Sequence, residues 1–282
     1  PPYDVLSDVD VAALRASSPH NIVHVDVPAP GADGTDRYAV AARTLAGWQE
    51  RGVLVRDPVA SLTIYRMSFH DGAGRARSLV GVLGGLEVVD PGVGRVLPHE
   101  RTTPKASTDR LDLTRATRAN LSPVWGLALG RGLTELLASA GEPLGVREVD
   151  GVEHAVERIV DPERIAAIAA VIGADDVLIA DGHHRYGVAR SYRDEVVTGA
   201  SGASPVAAAG AQAARHTLAF VGALVADQLA VDAIHRLVSG LGSAALREAL
   251  GRDFALVPGP SRLGPAVTAE LQHKLLVTNP MR

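Results

Sequence analysis

The run Val177-Leu178-Ile179-Ala180-Asp181-Gly182-His183-His184-Arg185-Tyr186 contains the step that decides how this chain folds. Its four leading apolar residues predict a short buried strand, and the stretch from Arg185 to Glu195 predicts a helix. The polar residues between them form a turn, in which Gly182 lets the backbone bend sharply. The sequence therefore predicts a strand that delivers polar groups to the start of a helix.

These polar groups suit the binding of an anion. Unpaired N–H groups and the helix dipole attract negative charge to a helix start, and an arginine can hold a phosphate or a carboxylate with two donors. We expect Gly182, His183, His184 and Arg185 to hold phosphate. Asp181 is then a candidate catalytic acid–base group or metal ligand. An ordinary Asp-Gly turn without a function is the alternative interpretation.

On both sides of this run, short β-branched stretches alternate with helical ones. Two predicted hairpins pair 61–69 with 78–89 and 145–149 with 152–160. Strands are also expected over 21–27 and 220–225, and helices after Thr35, over 107–120, from Pro162 to near Gly173 and over 243–250. Residues 198–214 are mostly Gly, Ala and Ser, which predicts a flexible loop. This mixture predicts an α+β (mixed α/β) fold.

Composition excludes several classes of function. The 282 residues include no cysteine, which excludes disulfides, a thiol nucleophile, iron–sulfur clusters and Cys-ligated zinc. The net charge of −4 argues against a broad nucleic-acid-binding face. No apolar stretch approaches the length of a membrane span, and no leader segment is recognisable. A cytoplasmic location is therefore expected.

A second polar cluster precedes the helix predicted over 107–120. It contains His99, Glu100, Arg101, Thr102, Lys105, Asp109 and Arg110. Glu100 is a candidate general base or metal ligand, and His99 a candidate acid–base group. Arg101, Lys105 and Arg110 are candidate phosphate ligands. A solvated loop with helix-capping charges is the alternative. No Walker A loop, dinucleotide fingerprint, H-E-x-x-H helix or G-x-S-x-G elbow is present.

Seven short motifs, in order along most of the chain, resemble the family known as DUF 1015, a domain of unknown function. They are Pro2-Tyr3-Asp4-Val5, 19–25, 38–54, His99-Glu100-Arg101-Thr102 with Asp109-Arg110, Leu121-Ser122-Pro123-Val124, 180–186 and His235-Arg236. The resemblance implies one family unit over 1–282. A division into two lobes, 1–130 and 131–282, is the alternative.

The Asp181 to Arg185 run also resembles the phosphate-binding element of the ParB/sulfiredoxin superfamily, which includes free-serine kinases. This resemblance implies a ParB/sulfiredoxin-like core and nucleotide phosphates at the helix start. The absence of cysteine separates the chain from sulfiredoxins, and its mild acidity separates it from DNA-binding ParB proteins.

These observations favour an enzyme that acts on a nucleotide or phosphorylated small molecule. The leading hypothesis is a kinase of a small hydroxylated metabolite such as serine, using ATP or ADP with Mg²⁺. In this hypothesis Asp181 or Glu100 orients the Mg²⁺ or accepts the proton of the substrate hydroxyl. A metal-dependent phosphatase or other hydrolase and a non-catalytic nucleotide-binding switch are the alternatives. All of them assume that the His99 and Asp181 clusters meet in space, which the distance from Glu100 to His183 would test.

Overall fold

Residues 3–71, 74–98, 104–199, 205–229, 239–259 and 267 are described by the computed structural model of the chain. Within this part, eight strands form one mixed sheet. They are β1 (Leu62–His70), β2 (Ala76–Glu87), β3 (Val96–Leu97), β4 (Val124–Ala128), β5 (Glu142–Val149), β6 (Val152–Ile159), β7 (Val177–Asp181) and β8 (His216–Ala223). Their order across the sheet is β3-β7-β4-β8-β2-β1-β6-β5.

Helices accompany the sheet, and together they confirm the predicted α+β class. They are α1 (Asp8–Ser17), α2 (Val23–Asp26), α3 (Arg37–Glu50), α4 (Pro104–Thr117), α5 (Leu133–Ala138), α6 (Pro162–Ala174), α7 (His183–Gly199), α8 (Pro205–Ala214) and α9 (Ser243–Gly251). Among the described residues, no helix is both long and apolar enough to cross a membrane. The sheet takes strands from both sides of residue 130.

Both predicted hairpins are confirmed. β1 pairs with β2 and β5 with β6, in each case antiparallel. Between β5 and β6, Asp150 (φ 53°) and Gly151 (φ 75°) both adopt the left-handed conformation that a two-residue hairpin turn needs. The predicted start of α6 is also confirmed, because the Asp161 side chain accepts a hydrogen bond from the Glu163 N–H and Pro162 opens the helix.

Three hydrophobic cores position the elements, and one of them packs α7 against the sheet. α5 and α6 pack on the sheet through fully buried side chains that include Ile64, Leu137 and Ile168. Burying one such side chain contributes about 1.5–3 kcal/mol. A smaller core joins α2, α3 and α4 through residues such as Val25 and Trp48. Because α4 also packs against α7, this helical layer lies next to the end of β7.

The strand predicted over 21–27 is wrong. The Asn21 side chain accepts a hydrogen bond from the N–H of Val23, and the backbone turns into α2. Val23 and Val25 are both buried in this short helix, so their β-branched side chains reflect packing rather than a strand.

The flexible loop predicted over 198–214 is also wrong for the described residues. α7 continues to Gly199 and residues 205–214 form α8. Alanine is the best helix former, and in this stretch it outweighs the glycines and serines. Residues 200–204 lie outside the described part of the chain. Smaller differences concern helix starts: Asp36 rather than Thr35 caps α3, and α7 begins at His183.

Candidate functional site

β7 leads into α7 through a tight turn at Gly182. Gly182 is buried and has a φ of +89°, which a residue with a side chain adopts only under strain. The N–H of Tyr186 donates the first hydrogen bond of the helix ladder, to the carbonyl of Gly182 at 2.9 Å. The N–H groups of 183–185 precede that bond and therefore take no part in the helix ladder.

Arg185 lies across this turn. Its Nη2 donates to Asp181 Oδ2 at 2.5 Å and its Nη1 donates to the carbonyl of Pro123. A Cβ at Gly182 would lie 3.1 Å from Arg185 Cζ and Nε, so the missing side chain of Gly182 leaves room for the guanidinium group. The Asp181 side chain is 64% exposed, and among the described side chains only that of Arg185 binds it.

The two adjacent histidines have different surroundings. His183 is buried, with 7% of its surface exposed, whereas His184 is half-buried. The Nδ1 atom of His184 is nevertheless enclosed and has no hydrogen-bond partner in the described structure. Their phosphate-binding roles stay predictions.

A cavity of about 210 Å³ lies beside α7, where α4, α8 and the chain entering β4 and β8 meet. Three guanidinium groups and one carboxylate line it among the described residues, so its lining carries an excess of positive charge. The charged and amide-bearing lining residues include Asp26, Arg110, Arg118, Asn120 and Arg185. Arg110 and Arg185 come from the two polar clusters that the sequence indicated separately, and the fold brings both to this cavity.

Arg110 is held firmly at the cavity wall. Its Nη1 donates to the carbonyl and to Oδ1 of Asp26, at 2.8 and 3.1 Å. Its Nε and Nη2 donate to Asp109 Oδ2 at 2.9 and 2.7 Å. The ring of Tyr3 lies 4.0 Å from the guanidinium carbon. With its donors shared between two carboxylates, Arg110 presents positive charge to the cavity from a fixed position.

Asp109 connects Arg110 to α3. Its Oδ1 accepts hydrogen bonds from Arg37 Nη2 at 2.6 Å and from the Tyr38 hydroxyl at 2.9 Å. Burial raises the pKa of Asp109, but the hydrogen bonds from Arg110 and Tyr38 outweigh it and hold the pKa below its usual value. Asp109 is therefore a charged structural partner of Arg110.

Asp26 differs from Asp109 in its electrostatics. Its side chain is 15% exposed. Burial raises its pKa above the usual value, although Arg110 and Arg185 both act to lower it. Sequence reasoning missed Asp26, because residues 21–27 were interpreted as a strand. The available signal was a carboxylate inside an apolar run, which is costly to bury unless it has a partner.

Arg118 is the third arginine of the cavity. It follows α4 in the left-handed conformation, with a φ of 51°. It is exposed, and while its backbone N–H donates to the carbonyl of Thr114 at 2.8 Å, its guanidinium group makes no hydrogen bond or ion pair with the described residues. Its donors are therefore available to a ligand, unlike those of Arg110. Sequence analysis did not identify it, since a lone arginine at a helix end is most often a solvated group.

The remaining predicted residues of the second cluster are only partly located. His99, Glu100 and Arg101 lie outside the described residues, as do His235 and Arg236. Lys105 lies in the first turn of α4, with its side chain outside the described part. The meeting of Glu100 with His183 stays a prediction. Within the described ranges, no three His, Asp or Glu side chains converge on a point that could hold a metal ion.

Comparison with known proteins identifies one family whose model matches the chain. A family model described as "Protein of unknown function (DUF1015)" matches residues 1–280, nearly the full length. No curated protein and no solved structure matches the chain significantly. The match confirms the resemblance inferred from the seven motifs.

Proposed function

We propose that the chain, which belongs to the DUF1015 family, is an enzyme that binds a nucleotide in the cavity beside α7 and transfers a phosphoryl group from it. The acceptor in this proposal is a small hydroxylated metabolite such as serine. The likeness of 181–185 to the nucleotide-binding element of the ParB/sulfiredoxin superfamily agrees with this proposal.

One observation carries the proposal. Arg185, at the start of α7, and Arg110, from the second polar cluster, line the same cavity although they lie far apart in the sequence. Phosphoryl transfer depends mainly on positioning and on neutralising the charge of the transferred group. Asp181 binds Arg185, and Asp26 and Asp109 bind Arg110. Both arginines meet that need, because they are fixed before the ligand arrives.

The arginines have separate parts in this proposal. Arg118, whose guanidinium donors are not used by described residues, binds phosphate oxygens directly. Arg185 and the N–H groups at the start of α7 hold the phosphate from the other side. Arg110 contributes a fixed positive charge, since Asp26 and Asp109 occupy its donors.

Asp181 fits a role beside Mg²⁺ at the edge of the cavity, because it binds Arg185, which lines the cavity. A nucleotide-bound Mg²⁺ keeps several waters and needs one or two carboxylates. The Asp181 side chain is largely exposed, and while Oδ2 accepts from Arg185, Oδ1 has no hydrogen-bond donor among the described residues. When bound, the ion would neutralise charge on the phosphates. Glu100 is the second carboxylate of the prediction.

The test begins with turnover. Purified protein is incubated with ATP or ADP, Mg²⁺ and a panel of amino acids, and products are followed by phosphorus NMR. We expect a new phosphate ester. If no nucleotide is consumed and none shifts the melting temperature, the proposal is wrong. Binding without turnover would instead indicate a switch protein, and release of inorganic phosphate with a bound transition metal would indicate a hydrolase.

A pair of variants tests the site itself. Arg185→Lys keeps the charge but removes the two-pronged donor geometry, so we expect nucleotide affinity to fall about tenfold. Arg190→Lys is the matched control, because Arg190 lies on the same helix and does not line the cavity. Its affinity should equal that of the unmodified protein. Equal effects of the two substitutions, measured by calorimetry, would place the nucleotide elsewhere.

A further inference from the structure

We infer that Asp26 is the group that accepts the proton of the substrate hydroxyl. This inference rests on the proposed phosphoryl transfer and assigns its acid–base step to a residue outside both polar clusters.

The position of Asp26 supports this role. Asp26 lines the same cavity as Arg185 and Arg118. Arg110 donates to its side-chain oxygen Oδ1 at 3.1 Å and to its backbone carbonyl at 2.8 Å, so one contact holds the side chain and the other holds the backbone beside it. Its second oxygen, Oδ2, has no hydrogen-bond donor among the described residues. A fixed carboxylate with one unsatisfied oxygen at a cavity wall can accept a proton from a bound hydroxyl.

Asp181 is less suited to the same step. It does not line the cavity, its side chain is mostly exposed, and Arg185 binds it at 2.5 Å. A carboxylate outside the cavity that already binds an arginine is poorly placed to take a proton from a hydroxyl bound in the cavity. Burial, in contrast, raises the pKa of Asp26 above the usual value for aspartate and makes it a stronger base.

Charged and titratable groups surround Asp26 from several elements. Arg110 and Asp109 approach from α4 and Arg185 from α7, and all three influence its pKa. The other such groups at the cavity wall or beside α2 are Tyr3, Arg15, Arg118, Tyr192 and His216. Because several ionisable groups lie near Asp26, an acidic limb of kcat is assigned to Asp26 only if Asp26→Asn lacks it.

The step balances without any further reactant. The hydroxyl proton passes to Asp26 Oδ2, and the hydroxyl oxygen forms a bond with the terminal phosphorus of the nucleotide. The bond from that phosphorus to the bridging oxygen breaks, and its electron pair leaves with the nucleotide, now shorter by one phosphate. Asp26 then releases the proton to solvent.

The test compares Asp26→Asn with Asp112→Asn. Asparagine keeps the shape of Asp26 and an oxygen for Arg110 but cannot take the proton, so kcat should fall at least about 100-fold. Nucleotide affinity should stay within about threefold, because the change removes a transition-state interaction. Asp112 lies on α4, pairs with Arg115 outside the cavity, and should be replaceable without loss of kcat.

Two further measurements keep the inference falsifiable if Asp26→Asn folds poorly. The kcat of the unmodified protein should fall as pH is lowered through the raised pKa of Asp26, since protonation removes the base. Added formate should restore turnover to Asp26→Ala by supplying a carboxylate. Two results obtained with an active unmodified protein would show that Asp26 is not the base and would leave the proposed function standing. One is a kcat of Asp26→Asn within about threefold of the unmodified value. The other is a kcat that does not fall at acidic pH. If the unmodified protein does not turn over, both ideas fail.

Discussion

Two of the chain's Asp-Gly dipeptides, which lie at different bends of this sheet, have different consequences. Asp150-Gly151 closes the hairpin between β5 and β6, where both residues are exposed and left-handed. Asp181-Gly182 ends β7, where Gly182 is buried and left-handed and Asp181 holds Arg185. The same two residues therefore make a solvent-exposed turn in one place and organise the wall of a cavity in the other.

The difference comes from the element into which each dipeptide leads. After Gly151 the chain continues as an antiparallel strand, whose N–H groups pair with β5 and β1. After Gly182 the chain enters a helix, and the first N–H groups of a helix lack intrahelical partners. Arg185, four residues after Asp181, lies in the first turn of this helix. An Asp-Gly step thus indicates a ligand site only where a helix start and a convergent cation accompany it.

Substituting the two glycines gives the largest expected contrast. Gly182→Ala combines a strained φ of +89° with a Cβ that lies 3.1 Å from Arg185, so it should displace the guanidinium group. Gly151→Ala has the strain but no atom within 4 Å of the new Cβ. We expect the free energy of unfolding to fall by about 2 kcal/mol for Gly182→Ala and about 1 kcal/mol for Gly151→Ala. Urea unfolding measures both values.

The same pair separates stability from binding. Only Gly182→Ala should weaken ADP binding, by about tenfold or more, since only this change moves a ligand-binding side chain. Calorimetry on the folded variants measures this. An equal loss of ADP affinity in Gly151→Ala would mean that the loss comes from general destabilisation, and the contrast between the two bends would disappear.

The fold was predictable wherever local chemistry and packing agree. Alternating residues around Asp150-Gly151 and the Asp161-Pro162 cap gave correct elements, because turns and caps depend on nearby residues. Residues 21–27 were predicted wrongly, because Val25 is buried against α3 and α4, which a linear sequence does not show. α1 was not predicted, although Ser7 and Asp10 form a capping box that was a readable signal.

Some residues of the candidate site were predictable from the sequence and others were not. Arg185 and Arg110 were identified from local clusters of polar residues, and both line the cavity. Asp26 and Arg118 were not, because each stands alone in the sequence and reaches the cavity only through the packing of α2 and α4. Residues that contribute singly to a site become visible only when the tertiary structure brings them together.

The smallest expected effect is the change in the free energy of unfolding when the aspartate of either bend is replaced, and its sign differs between the two bends. Asp150→Asn should raise the free energy of unfolding by a few tenths of a kcal/mol, since asparagine tolerates the left-handed conformation and Asn-Gly suits this turn. Asp181→Asn should lower it, by less than about 1 kcal/mol, because solvent screens the partly exposed pair with Arg185.

The sign can be measured by unfolding both variants in urea at low and high salt. Screening should shrink the loss in Asp181→Asn at high salt and leave the gain in Asp150→Asn unchanged, because the first is an ion-pair effect and the second a backbone preference. A loss in Asp181→Asn that salt does not reduce would mean that the carboxylate stabilises the turn by hydrogen bonding to neutral groups. Arg185 would then depend on Pro123 rather than Asp181 for its position.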